Sequence, residues 1–201
     1  MKSEARSRRT QFVPTHGFDV KDRRGAQGPP YRATDAVRTG LPDRAFLEDR
    51  LALEIAHGDN SGGKIILALL NLDRFGETDD VLEHKVADQL LQKVANRLRS
   101  RLRKSDTVAR LGGDELLLLL PRIKRKEDVE SVAERILRSL RQPFPIGALR
   151  FRVTGTVGFA VYPDHGKDAE TLIRNAGIAM NCVKQRGRNN YRCFNSTMDA
   201  A

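Results

Sequence analysis

Apolar residues recur at helical spacing from Asp43 to about His57, where Phe46, Leu47, Leu51 and Ile55 form one stripe. The same period returns from Asp79 to about Arg103, carried by Val86, Leu90, Val94 and Leu98. Between them Asn60-Ser-Gly-Gly63 reads as a loop, and Lys64 to Leu72 is an apolar run of strand length. Thr107 to Leu111 and Leu116 to Leu120 read as two further strands; five consecutive leucines suit a strand covered on both faces. A helix follows over Lys126 to Arg141, then strands near Pro145–Ile146 and from Leu149 to Val161, a helix from Asp168 to Gln185 and a last strand from Asn190 to Phe194. This order predicts an α/β (α+β) fold: a central mixed, mainly antiparallel sheet of about five strands surrounded by helices. Residues 1–33 mix Arg, Gly and Pro without a sustained period and predict a basic, flexible arm ahead of a domain over 34–201.

Chemistry concentrates between the two short strands, at Arg110-Leu-Gly-Gly-Asp-Glu-Leu116. Glycine tolerates positive φ and leaves the backbone open, so Gly112 and Gly113 supply a hairpin turn at which a phosphate can approach N–H groups. Asp114 then stands where a carboxylate could hold a divalent metal beside that phosphate. A plain Gly-Gly turn with a solvated acidic pair fits the same residues.

Composition narrows the setting. The chain has 201 residues, 39% hydrophobic and 31% charged, enough for one domain with a core. No apolar run nears the roughly 18 residues of a spanning helix, and the start lacks an apolar signal core, so the expectation is a cytoplasmic domain without membrane contact. Cys182 and Cys193 are too few for a disulfide framework and show no metal-ligand spacing with the four histidines. The net charge of +10 raises nucleic acid as a partner, but residues 1–30 alone hold seven Lys/Arg against three Asp/Glu. The rest is spread along helices with few aromatics interleaved, which argues against a nucleic-acid groove.

From about Thr34 to Met198 the chain resembles the GGDEF family, the diguanylate cyclase domains of bacterial signalling. The likeness is carried by five motifs in order: Thr39-Gly-Leu-Pro-Asp-Arg44, like TGLPNR; Asn71-Leu-Asp-Arg-Phe75, like DxDxF; Arg110-Leu-Gly-Gly-Asp-Glu115, like RxGGDE; Val157-Gly-Phe-Ala160 with Tyr162-Pro163, like SIGIA…YP; and Lys184-Gln-Arg-Gly-Arg-Asn189, like AKxxGRN. The resemblance implies a nucleotidyl-cyclase-like fold and a dimer that joins two GTP into cyclic di-GMP with Mg²⁺ or Mn²⁺. It assigns Asp114 and Glu115 to the catalytic hairpin, and Asp79, Asp88, Lys184, Arg188, Gly112 and Gly113 to substrate binding. Asp114 and Asn71 stand at its metal positions.

The chain departs from the pattern inside that pocket. Asn71 replaces a carboxylate, which removes a charge from the shell of a hard cation. Gly76 replaces a phosphate-contacting lysine, and Asp79 replaces the guanine-reading asparagine with a group that can only accept. Glu83 and Ala87 stand where glycines are usual. Asp73 is a candidate substitute metal ligand. A second site keeps the family pattern: Arg103-Lys-Ser-Asp106 matches the RxxD motif that binds cyclic di-GMP and inhibits, and Arg135 matches its additional arginine. Ser196-Thr-Met198 resembles the tail that leads into a following EAL domain. Three functions are therefore open: a degenerate GGDEF module sensing cyclic di-GMP or GTP with little or no cyclase activity, an active diguanylate cyclase, and a ligand-free module for homodimerisation or for binding another signalling protein.

Overall fold

In the computed structural model, residues 40–61, 63–75, 84–123, 125 and 128–198 are described. The arm, Gly76, Asp79 and Glu83 lie outside the described residues.

The long apolar runs form the middle of one five-stranded sheet. β1 (Lys64–Leu72) is buried along all but its first residue and pairs antiparallel with β3 (Glu115–Ile123) on one side and β6 (Gly155–Tyr162) on the other. β2 (Thr107–Gly112) closes one edge against β3, and β7 (Tyr191–Cys193) closes the other, parallel to β6. The spatial order is β2-β3-β1-β6-β7, a mixed and mainly antiparallel sheet as the pattern predicts.

Helices cover both faces, which is why the central strands show no polar alternation. One face carries α2 (His84–Arg101) and α3 (Asp128–Leu140), with Leu90, Val94, Leu98 and Ile136 packed on Ile66, Ala68, Leu70 and Leu118. The other carries α1 (Arg44–Ser61) and α4 (Ala169–Gln185), with Leu47, Leu51, Leu172 and Met180 packed on Leu67, Leu69 and Leu119. Asp43 Oδ1 accepts from Phe46 N at 2.9 Å and starts α1; Asp168 caps α4 by accepting from Thr171 N at 2.8 Å.

Three local expectations need correction. The predicted stripe of α1 placed Phe46 inward, but it is 51% exposed; the sheet takes Leu47 and Leu51, and α1 is apolar on both sides. The Asn60 loop is partly helical, since α1 runs to Ser61. The strand expected from Leu149 to Val161 is two strands. β5 (Leu149–Phe151) pairs with β4 (Phe144–Ile146) in a separate hairpin around Gly147, at φ 57°, and the chain then crosses to β6. Gly155 begins β6 where a Cβ would meet Leu140 Cδ1 at 2.6 Å and Leu70 Cδ1 at 2.7 Å.

Packing is close where α4 crosses β6. A Cβ on Gly158 would stand 2.0 Å from Ala176 O and 2.4 Å from Met180 N. Both are backbone atoms of α4, so no rotamer change makes room.

Candidate functional site

The β2–β3 hairpin brings the acidic pair to the end of the sheet. Its two-residue loop is Gly113-Asp114, with Gly113 at φ 49°. Gly112 pairs with Glu115 as the last residue of β2 and does not take positive φ, so the expected Gly-Gly turn shifts by one residue. Neither glycine faces any atom within 4 Å of a built Cβ, so the backbone there is open to a ligand. Arg110, buried beneath the hairpin, donates to Gly113 O through Nε and Nη2 at 3.2 and 3.0 Å. Its Nη1 lies 4.0 Å from Asp88 Oδ1 on α2, which joins Asp88, expected from the sequence to bind substrate, to the hairpin base.

Strand register sets Asn71 opposite Glu115, beside Asp114. Asn71 is buried, and its side chain hydrogen-bonds the Asp114 carboxylate. Burial pushes the Asp114 carboxyl above the usual carboxylate range; its own backbone N–H, the Asn71 amide and Lys184 oppose the shift, while Asp73 adds to it. Burial also raises Glu115, against Lys184 and with Asp114. Lys184 Nζ, reaching from α4, stands 3.9 Å from Glu115 Oε1.

Asp73 follows β1 and braces three segments. Oδ2 accepts from Thr154 Oγ1 at 2.7 Å and from Asn189 N at 3.1 Å, and Oδ1 accepts from Thr156 Oγ1 at 2.6 Å. Arg188, at φ 62°, lies exposed in the turn whose Asn189 N this brace holds.

These residues offer a divalent cation fewer free anionic oxygens than the carboxylate pair of the family pattern would. Mg²⁺ and Mn²⁺ take carboxylate oxygen. Here the amide at Asn71 takes one acceptor position of Asp114, and the Asp73 oxygens already accept from two hydroxyls and a backbone N–H. Among the described residues no group of three His, Cys, Asp or Glu side chains could hold a metal ion.

On the α2/α3 side of the molecule, Arg103, Asp106 and Arg135 line one cavity of about 450 Å³. The turn after α2 presents the first two: Asp106 Oδ2 accepts from Arg103 N at 2.9 Å, and Asp106 N donates to Arg103 O at 3.0 Å. Arg50 of α1 anchors the turn by donating to Ser105 O at 3.2 Å. Arg135 comes from the second turn of α3, and its Nε is buried without a hydrogen-bond partner among the described residues. The volume falls in the range of small-molecule sites, roughly 300–1,000 Å³.

The structure adds Arg122, Arg125 and Asp128 to this cavity, which the sequence reading missed. Arg122 sits at a β-bulge where β3 has one residue more than β1, and it takes φ 59°. A visible signal existed for the other two, because Arg125-Lys-Glu-Asp128 repeats the RxxD spacing of Arg103-Lys-Ser-Asp106.

The family described as diguanylate cyclase, GGDEF domain, matches residues 33–190. The chain belongs to the GGDEF family. Among relatives, this GGDEF domain is 36% identical over 162 residues to the bifunctional diguanylate cyclase/cyclic di-GMP phosphodiesterase MucR of Pseudomonas aeruginosa, covering 81% of this chain and 24% of that protein. It is 36% identical over 190 residues to the cyclic di-GMP phosphodiesterase PdeR of Escherichia coli, covering 94% and 28%. The chain thus spans about a quarter of the length of these relatives. Among solved structures, the GGDEF domain of Pseudomonas aeruginosa TpbB superposes with a TM-score of 0.78 at 32% identity, covering 81% of this chain and 95% of that one. An EAL/GGDEF domain protein from M. capsulatus gives 0.66 at 40% identity, covering 77% and 99%.

Proposed function

We propose that this GGDEF domain is a catalytically impaired module that senses cyclic di-GMP through the cavity of Arg103, Asp106 and Arg135. The observation that carries the reading is the convergence of those three residues on one cavity. None of their guanidinium groups pairs with a carboxylate among the described residues. Arginine forks match guanine O6 and N7 or a phosphate, and aspartate accepts from guanine N1–H and the 2-amino group. Each oxygen of Asp106 accepts one local bond, from Arg103 N or Ser105 Oγ, and a carboxylate has room for about four.

The hairpin pocket supports the other half of the reading. Asn71 turns a metal position into an internal amide–carboxylate hydrogen bond, and the sequence lacks the family's phosphate-facing lysine at Gly76. Loss of one electrostatic contact in a catalytic site costs roughly 10²–10³ in rate, and two are missing. Retained Lys184 and Arg188 still offer positive charge to a triphosphate, so GTP is the second ligand to assay.

Calorimetric titration with cyclic di-GMP tests the proposal, run beside a cyclase assay with GTP and Mn²⁺. Expected are binding lost in Arg103→Ala and kept in Asp114→Ala, and little product. Binding lost only in Asp114→Ala, or turnover matching an intact cyclase, would overturn it.

A further inference from the structure

The cavity contains the same turn twice. In the turn after α2, Arg103 N donates to Asp106 Oδ2 at 2.9 Å and Asp106 N returns a bond to Arg103 O at 3.0 Å. Before α3, Arg125 N donates to Asp128 Oδ2 at 3.1 Å and Asp128 N returns a bond to Arg125 O at 3.2 Å. Arg103, Asp106, Arg125 and Asp128 all line the one 450 Å³ space.

Backbone closure explains the two aspartates, because each satisfies an N–H three residues upstream. It does not explain the arginines. Arg125 stands just before the N-terminus of α3, the positive end of the helix dipole, where a cation is disfavoured. Its neighbour Arg122 holds a left-handed conformation, at φ 59°, that an L side chain rarely adopts. Two residues on the wall of one cavity thus break local rules, one electrostatic and one steric. Local rules are broken most often where a site needs a particular side chain in a particular place. Arg135 lies on the same wall with a buried Nε that has no hydrogen-bond partner among the described residues.

We propose that Arg125 and Asp128 form a second nucleotide-reading turn, so that a single domain grips both halves of a cyclic purine dinucleotide. The inference rests on the reading of this cavity given above and extends it. Such a ligand presents two equivalent guanine edges and two phosphodiester charges, and two Arg-x-x-Asp turns offer the matching pair of forks and acceptors. One turn alone would read only one half.

The test is calorimetric titration of cyclic di-GMP into the full chain and three variants: Arg103→Ala, Arg125→Ala and Asp128→Asn. Arg125 is exposed and outside any helix or strand, and asparagine keeps the capping oxygen of Asp128, so both variants should fold. Expected is a loss of affinity of at least about tenfold for Arg125→Ala and for Asp128→Asn, comparable to that of Arg103→Ala. Wild-type affinity in Arg125→Ala, with binding lost in Arg103→Ala, would overturn the second turn and leave the cavity reading standing. No binding by the wild-type chain, or full binding by Arg103→Ala, would remove the cavity reading and this inference with it.

Discussion

Asn71→Asp restores the family carboxylate and should make the protein less stable. Asn71 is buried and donates to Asp114, whose carboxyl burial already holds above its ordinary range. The substitution removes a hydrogen bond to a charged group, about 1.5–3 kcal/mol, and sets a second anion beside the first. Two like charges about 4 Å apart repel by roughly 4 kcal/mol at an effective dielectric of 20. The two effects overlap, and protonation relieves part of the repulsion, so a net loss of about 2–4 kcal/mol is expected at pH 7. That corresponds to a melting point lower by roughly 5–15 °C. The pH dependence has a definite sign. A carboxyl raised in the folded state binds protons that the unfolded chain has already released, so stability falls as pH climbs from the ordinary carboxylate range through the folded value. The penalty should therefore shrink on acidification. Thermal melts at pH 4.5 and pH 7, as roughly bracketing conditions, with and without Mn²⁺, measure it. Mn²⁺ should raise the melting point of the variant more than that of the wild type, since the variant adds a carboxylate at the metal position beside Asp114. Equal melting points for variant and wild type at pH 7 without metal would refute the reasoning. So would a penalty that does not change with pH. Cyclase activity should stay low, because Gly76 and Asp79 are unchanged.

Gly158→Ala should destabilise the fold by about 3 kcal/mol or more, because its Cβ meets α4 backbone at 2.0 and 2.4 Å; denaturant unfolding reads the loss. Asp168→Ala should cost about 1 kcal/mol at pH 7 by removing the α4 cap. Its bonds to Thr171 hold the Asp168 carboxyl below the usual range, so this cost should be present above the ordinary carboxylate pKa and vanish as pH falls through the lowered value. An acid-independent difference between the two proteins' unfolding curves would contradict that assignment.

Helix and strand identity was legible along most of the chain because burial on two faces leaves continuous apolar runs, and burial on one face leaves a 3.6-residue period. Leu116–Leu120 and Lys64–Leu72 could be placed as central strands for that reason alone. The motif order from Asn71 to Asn189 also identified the family, since those spacings reflect one chain path past one pocket. What the linear pattern could not carry was which side chain meets which across the fold. Periodicity finds an apolar face on α1 without choosing between Phe46 and Leu47, because the choice belongs to the shape of the sheet beneath. It merges β5 with β6, because β5 pairs with β4 and β6 pairs with β1, a choice of partners made only in the folded sheet. The bond from Asn71 to Asp114 joins residues 43 positions apart through the register of β1 with β3. The cavity draws on the turn after α2, the bulge in β3, and the start and second turn of α3. Two Arg-x-x-Asp spacings can be read in a line of letters; that they face the same space follows only from helices packing against a sheet, since long-range proximity is set by how layers stack and not by any local preference of the chain.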